Sequence, residues 1–140
     1  MMSTHRQSAF TLVEIMVVVV IIGLLAAIAM PAFAKVRESS QNARLANDLR
    51  VFAYAVEVFS LENGFYPEDS STGNIPPGLA PYIKEGQWDE GPIIGGDYDV
   101  ENGSYGIISA VGVHGYTAPE SQLLRFDQKY DDGSLASGRF

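Results

Sequence analysis

The stretch Ala9-Phe10-Thr11-Leu12-Val13-Glu14 runs without a break into an apolar segment, Ile15 to Ala34, that contains no charged residue. A helix of about 20 residues is about 30 Å long, which is the thickness of the hydrocarbon core of a bilayer. The buried helices of soluble proteins rarely show an uncharged run of this length. The sequence therefore predicts a helix that engages a membrane, with one acidic residue, Glu14, at its start.

Glu14 separates the possible interpretations of this segment. A carboxylate costs about 2.5–3.5 kcal/mol at the centre of a membrane helix on insertion scales, so it needs a partner or a purpose. A plain membrane anchor explains the length of the segment but gives Glu14 no role. A secretory signal peptide is a second interpretation, because Arg6 provides a basic start and Ala32-Phe33-Ala34 is a small-residue cleavage pattern. Against it, Glu14 lies where the apolar core begins, and the run is longer than a typical signal core of about 7–15 residues.

The residues before the apolar run support a third interpretation. Ala9-Phe10-Thr11-Leu12-Val13-Glu14 resembles the processing site of type IV pilins and type II secretion pseudopilins, the substrates of prepilin peptidase. The resemblance implies that residues 1–9 are a leader peptide, that the chain is cut between Ala9 and Phe10, and that Phe10 is N-methylated. It also implies a role in assembly for Glu14, the fifth mature residue. The family usually has Gly before the cut, where this chain has Ala9.

Cleavage would give Glu14 a partner. The new ammonium at Phe10 is as unfavourable in lipid as the carboxylate, and pairing Glu14 of one subunit with the Phe10 terminus of a neighbour would neutralise both. Pro31 lies where family members carry a helix-kinking proline, and a proline inside a helix removes one backbone donor. We therefore expect residues 10–34 to form a transmembrane and assembly helix with a kink at Pro31 and a second soft point at Gly23.

The helical pattern continues beyond the apolar segment as an amphipathic half. Apolar residues recur every three or four positions, which is the spacing of one helix face: Leu45, Leu49, Phe52, Val56 and Phe59. Asn63-Gly64 is a typical helix stop, so the helix is expected from about Phe10 to Glu62. The stretch Glu62-Asn63-Gly64-Phe65-Tyr66-Pro67 also resembles the end of the long helix in major pseudopilins.

Residues 35–140 are predicted to form a globular domain that includes the C-terminal half of the long helix. Gly96–Val100 and Tyr105–Val111 flank the turn signal Asn102-Gly103 and predict a β-hairpin. Thr117-Ala118-Pro119-Glu120 is a capping-box pattern that predicts a second helix through about Lys129. The expected fold class is α+β, with the long N-terminal helix packed on a small antiparallel β-sheet, as in pilins.

Composition and motifs limit the chemistry that the chain can perform. There is no cysteine, which excludes disulfides, thiolate catalysis and cysteine-ligated zinc. Beyond Asn63 acidic residues outnumber basic ones, which argues against nucleic acid and anionic lipid headgroups as partners. The sequence contains no nucleophile, phosphate-binding or zinc motif, so no enzymatic activity is expected. His114 is predicted to be an exposed loop residue.

Two acidic clusters are candidate calcium ligands, because Ca²⁺ prefers oxygen ligands. Asp97, Asp99 and Glu101 alternate along the predicted first strand and would share one face. The second cluster consists of Asp127, Asp131 and Asp132. The resemblance adds that major pseudopilins bind a structural calcium in their C-terminal loops, although their ligand motif does not match this chain residue by residue. Solvated turn carboxylates are the alternative.

The resemblance implies a structural subunit of a type II secretion pseudopilus, of the major type. It further implies anchoring in the inner membrane with residues 35–140 in the periplasm, and polymerisation that drives protein export. The implied partners are further copies of the chain, other pseudopilins, prepilin peptidase and an inner-membrane assembly platform. A type IV pilin or minor pilin-like subunit of a surface filament is the alternative, and a secreted binding protein released after Ala34 is a third possibility.

Overall fold

The computed structural model describes residues 10–84, 86–103, 106 and 108–136. Its elements are, in order, helix α1 (Leu12–Asn63), a short 3-10 turn (Ala80–Tyr82), strands β1 (Asp97–Asn102) and β2 (Ser109–His114), and helix α2 (Glu120–Tyr130). The predicted long helix and the predicted α+β class are confirmed. By its internal contacts the chain divides into two compact units, Met1–Arg37 and Glu38–Phe140.

In the first unit, α1 exposes its apolar side chains on all sides. Leu12, Ile22 and Phe33, for example, are exposed by 74%, 60% and 73%. By length and composition the helix can cross a membrane. Both Gly23 and Pro31 lie inside it, and the kink expected at these two positions stays a prediction.

In the second unit, the C-terminal half of α1 provides the core. The predicted apolar stripe is buried, every member being 5% exposed or less: Leu45, Leu49, Phe52, Val56 and Phe59. Phe52 is the centre of an aromatic cluster, since its ring centroid lies 5.0 Å from that of Trp88 and 4.7 Å from that of Tyr98, both in edge-on geometry. These contacts join the helix to the loop that precedes the sheet and to β1.

Strands β1 and β2 form the predicted antiparallel hairpin, with Asp97 opposite His114 and Asn102 opposite Ser109. Successive side chains of a strand point to opposite faces. Tyr98 and Val100 therefore enter the core, 1% and 0% exposed, while the acidic residues of β1 share the other face. Strand β2 extends to His114, three residues beyond its predicted end at Val111.

Helix α2 begins at Glu120, and the predicted capping box does not form. Its N-cap is Pro119, which provides no side-chain hydrogen bond. Instead, the backbone N–H and the hydroxyl of Thr117 donate to the carbonyl of Ile94, at 3.0 and 3.2 Å. The capping prediction was wrong because the loop before β1 takes the hydroxyl that the cap would need.

Hydrogen bonds between polar side chains connect α2 to α1 within the second unit. Arg125 forms two hydrogen bonds with the carboxylate of Glu38. The arrangement lowers the pKa of Glu38 from its ordinary value, because the Arg125 guanidinium donates to the ionised form. In a second, buried contact between the two helices, the side-chain amide of Gln122 donates to Asn42 Oδ1 at 3.0 Å. A buried amide pair of this kind fixes the position of α2 along α1.

A buried tyrosine predicts a pH dependence of stability. The Tyr98 hydroxyl donates to Asp48 Oδ2 at 3.3 Å, and burial together with the charge of Asp48 raises the pKa of Tyr98 far above its ordinary value. The unfolded pKa is about 10. The contribution of the Tyr98 hydroxyl to the free energy of unfolding is therefore complete below about pH 10. It is lost as the pH rises toward the pKa of Tyr98 in the folded state.

We expect the free energy of unfolding to fall more steeply above about pH 10 in the wild type than in Tyr98→Phe. Denaturation monitored by the fluorescence of Trp88, which packs against Tyr98, measures this slope. The matched control is Tyr54→Phe, which changes an exposed tyrosine of α1 and should keep the wild-type slope. Equal slopes in the wild type and Tyr98→Phe would contradict the prediction.

Candidate functional site

The start of α1 is closed by a reciprocal cap between Thr11 and Glu14. The backbone N–H and the hydroxyl of Thr11 both donate to Glu14 Oε2 at 2.8 Å, and the backbone N–H of Glu14 donates to Thr11 Oγ1 at 3.2 Å. This is a capping box, in which two residues three apart satisfy backbone donors that a helix start leaves free. The Thr-x-x-Glu spacing is its signal in the sequence, although no cap was predicted at this position.

The cap satisfies the hydrogen bonding of Glu14 without neutralising its charge. Both donors from Thr11 are electrically neutral, and within residues 10–136, as far as they are described, no ion pair involves Glu14. The carboxylate therefore retains the capacity to accept a charged donor. Phe10, which precedes the helix, is 80% exposed. Ala9 and the predicted leader, residues 1–9, lie outside the described residues.

The surface around Glu14 is apolar and uncovered. Leu12, Val13 and Ile15 are exposed by 74%, 66% and 52%. A helix that is hydrophobic on all sides requires burial, in lipid or against other helices. Exposed patches of this size mark interaction sites in proteins. The geometry thus places one acid with an unneutralised charge at the end of a long apolar surface.

A second group of polar residues lies on the outer face of the hairpin. His114 Nε2 is 3.6 Å from Asp99 Oδ2 and 3.5 Å from Glu101 Oε1. The three side chains have donor atoms within 4.8 Å of one another, a spacing that can hold a metal ion. The sequence predicted Asp99 and Glu101 on one face, and the register confirms it. It missed His114, because the second strand was predicted to end before that residue.

The other predicted calcium ligands are placed elsewhere. Asp97 shares the outer face of β1 but is exposed. Asp127 is 1% exposed on α2, and its carbonyl accepts the N–H of Asp131 at 2.7 Å. Asp132 Oδ1 accepts the N–H of Ser134 at 2.8 Å. In the part of the chain that the structure describes, none of these four aspartates belongs to a group with metal-ligand spacing. Calcium binding stays a prediction.

Known proteins are similar to this chain at both its N-terminus and its globular unit. Residues 4–30 match the family model described as "Prokaryotic N-terminal methylation motif". Over 139 residues the chain is 33% identical to the type II secretion system core protein G of Escherichia coli K12, an alignment that covers 90% of this chain and 95% of the relative.

Shorter alignments extend the comparison. The chain is 39% identical over 66 residues to the type II secretion system core protein G of Pseudomonas aeruginosa, covering 47% of this chain and 46% of the relative. It is 40% identical over 77 residues to the type IV major alpha-pilin of Moraxella bovis, covering 54% and 48%. No solved structure matches the chain significantly. The methylation-motif match includes both Phe10 and Glu14.

Proposed function

The chain belongs to the family of type II secretion system core protein G, and from that membership we propose that it is cut between Ala9 and Phe10, N-methylated at Phe10 and polymerised through residues 10–34. It is a pilin-like structural subunit. The observation that carries the proposal is the 33% identity to the Escherichia coli relative over 90% of the chain. The methylation-motif match over residues 4–30 supports the proposed processing.

The assembly step exchanges one partner of Glu14 for another. In a single chain the carboxylate accepts neutral donors from Thr11. Cleavage would create an ammonium at Phe10, and the Glu14 of a neighbouring subunit would accept its hydrogen bond. The Thr11 donors leave the charge of the carboxylate in place, whereas the ammonium neutralises it, and the pair removes two uncompensated charges from lipid. The exposed apolar surface of α1 would be covered by neighbouring helices at the same time.

We further propose that residues 10–34 anchor the subunit in the inner membrane and that residues 35–140 lie in the periplasm. Prepilin peptidase would process the chain, and an inner-membrane platform would add it, together with other pseudopilins, to a filament whose growth drives protein export. The apolar helix supports the anchoring, and the similarity to the type II secretion system core protein G of Escherichia coli supports the link to type II secretion. The proposed role is mechanical, with no catalytic step.

Mass spectrometry of the mature N-terminus tests the processing. We expect a chain that begins with N-methyl-Phe10 and has 131 residues, the 140 of the full sequence less the nine of the leader. Expression beside an inactivated prepilin peptidase is the control and should leave the leader in place. The variant Ala9→Gly restores the residue usual before the cut and should be processed at least as fast. A mature chain that begins at Lys35 would contradict the proposal and indicate a released soluble domain.

A type IV pilin is the second candidate, favoured by the similarity to the Moraxella bovis pilin over 54% of the chain. Complementation separates the two functions. In a strain that lacks its own major pseudopilin, a secretion subunit should restore export, whereas a pilin should instead restore surface filaments in a strain without its major pilin. We expect restored export, because the alignment to core protein G covers both units of the chain.

A further inference from the structure

We propose that Asp99, Glu101 and His114 form a binding site for a divalent first-row transition metal ion, with Zn²⁺ as the best match. The site lies on the outer face of the β1–β2 hairpin. It is independent of the first unit, and so of the proposed function, because its three residues all belong to the second unit.

The distances fit coordination better than an ion pair. A tetrahedral zinc ion with bonds of about 2.0–2.2 Å holds its donor atoms about 3.3–3.6 Å apart. His114 Nε2 lies 3.6 Å from the Asp99 oxygen and 3.5 Å from the Glu101 oxygen. A protonated imidazole hydrogen-bonded to a carboxylate would lie closer, at about 2.7–2.9 Å. The three side chains therefore surround a space of the size of a metal ion.

Asp99 provides a second, independent observation. The residue is 4% exposed, and the hydroxyl of Thr72 donates to its Oδ2 at 2.9 Å. Its other oxygen, Oδ1, is buried and has no hydrogen-bond partner in the part of the chain that the structure describes. A buried carboxylate is unfavourable unless it is paired or binds a metal. The Thr72 contact would orient it, in the way that outer hydrogen bonds orient the ligands of metal sites.

The donor set selects the type of metal. Ca²⁺ takes six to eight oxygen ligands, whereas this group supplies two carboxylates and one imidazole nitrogen. Imidazole suits zinc, copper, iron and nickel. Two carboxylates carry a charge of −2 when ionised, which a divalent ion neutralises. Three protein ligands would leave a fourth position for water, as in open zinc sites.

The hairpin leaves room for the ion and a path to solvent. Gly112 is opposite Asp99 in the register, and a Cβ at Gly112 would meet no atom of the described residues within 4 Å. Among the described residues, the space beside Gly112 is therefore open. The side chain of His114 is 46% exposed and that of Asp99 is 5% exposed. An ion could therefore enter past the imidazole and reach the buried carboxylate of Asp99. A bound ion would tie the end of β2 to β1.

Calorimetry and thermal unfolding of the full chain in detergent, freed of metal by a chelator, test the site. We expect one Zn²⁺ ion to bind per chain and to raise the melting temperature, with Ca²⁺ giving a weaker effect. Co²⁺ should give the visible absorption of a four-coordinate ion. His114→Gln should weaken Zn²⁺ binding by about 100-fold or more, since loss of an outer partner of a metal ligand alone costs roughly 10–100-fold.

Three variants complete the experiment. Glu101→Gln should weaken binding as His114→Gln does. Asp97→Asn is the matched control, an exposed carboxylate on the same face of the same strand, and should bind Zn²⁺ as the wild type does. His5→Gln controls for the second imidazole of the chain. The proposal is overturned if Zn²⁺ does not bind, if His114→Gln binds it like the wild type, or if Ca²⁺ binds more tightly than Zn²⁺.

Discussion

Replacing Glu14 by Gln is expected to abolish filament assembly and to leave membrane insertion and cleavage intact. The variant keeps the size of the side chain but removes the charge that we propose to pair with the Phe10 ammonium of a neighbour. Each added subunit would then leave a cation unpaired in lipid, at a cost of about 2.5–3.5 kcal/mol. Since 1.4 kcal/mol is a factor of ten, the equilibrium constant for each addition should fall by about 100-fold. Immunoblots of sheared filaments and of the membrane fraction measure assembly and processing separately.

Thr11→Ala is the matched control for this experiment. It removes the two hydrogen bonds that the Thr11 hydroxyl makes in the cap at the start of α1, and it leaves the charge of Glu14 available. Loss of a helix cap costs about 0.5–2 kcal/mol, and this affects the single chain more than the pairing between chains. We therefore expect Thr11→Ala to assemble at nearly wild-type levels. If instead Glu14→Gln forms as many filaments as the wild type, the pairing mechanism is wrong.

The parts of the fold that the sequence predicts correctly are those encoded by local periodicity. The spacing of Leu45, Leu49 and Phe52 places them on one face of a single helix. The rest of the second unit packs against that face and buries it. The capping prediction at Thr117 failed because its competitor, the carbonyl of Ile94, lies 23 residues away. No local pattern reveals that competition.

The polar group on the hairpin shows the same limit. Alternation correctly placed Asp99 and Glu101 on one face, but alternation cannot tell a buried carboxylate from an exposed one. Asp99 is buried because the loop that contains Thr72 covers it, 27 residues away in sequence. His114 joins the group only through the register of the two strands, and register depends on contacts across the whole hairpin. The Thr11–Glu14 cap, by contrast, was readable from its spacing alone.

Truncating Phe52 to Ala is expected to destabilise the second unit by about 3–5 kcal/mol. The ring is 0% exposed and packs edge-on against Trp88 and Tyr98. Its removal leaves a cavity between α1, the loop that precedes the sheet and β1. Each lost aromatic pair also contributes about 0.5–1.5 kcal/mol to the free energy of unfolding. Chemical denaturation followed by Trp88 fluorescence measures the change. Leu61→Ala, at a position of the same helix that is 79% exposed, should change the free energy of unfolding by less than about 0.5 kcal/mol.

The Phe52 and Glu14 variants should fail in different ways. Domains of this size are stable by about 5–15 kcal/mol, so Phe52→Ala should lower the amount of folded subunit while cleavage before Phe10 continues. Glu14→Gln should unfold like the wild type, because Glu14 belongs to the first unit and Phe52 to the second. If Glu14→Gln lowered the free energy of unfolding as Phe52→Ala does, its loss of assembly would reflect misfolding instead of a missing charge pair. A normal unfolding curve together with absent filaments would assign the defect to the contact between subunits.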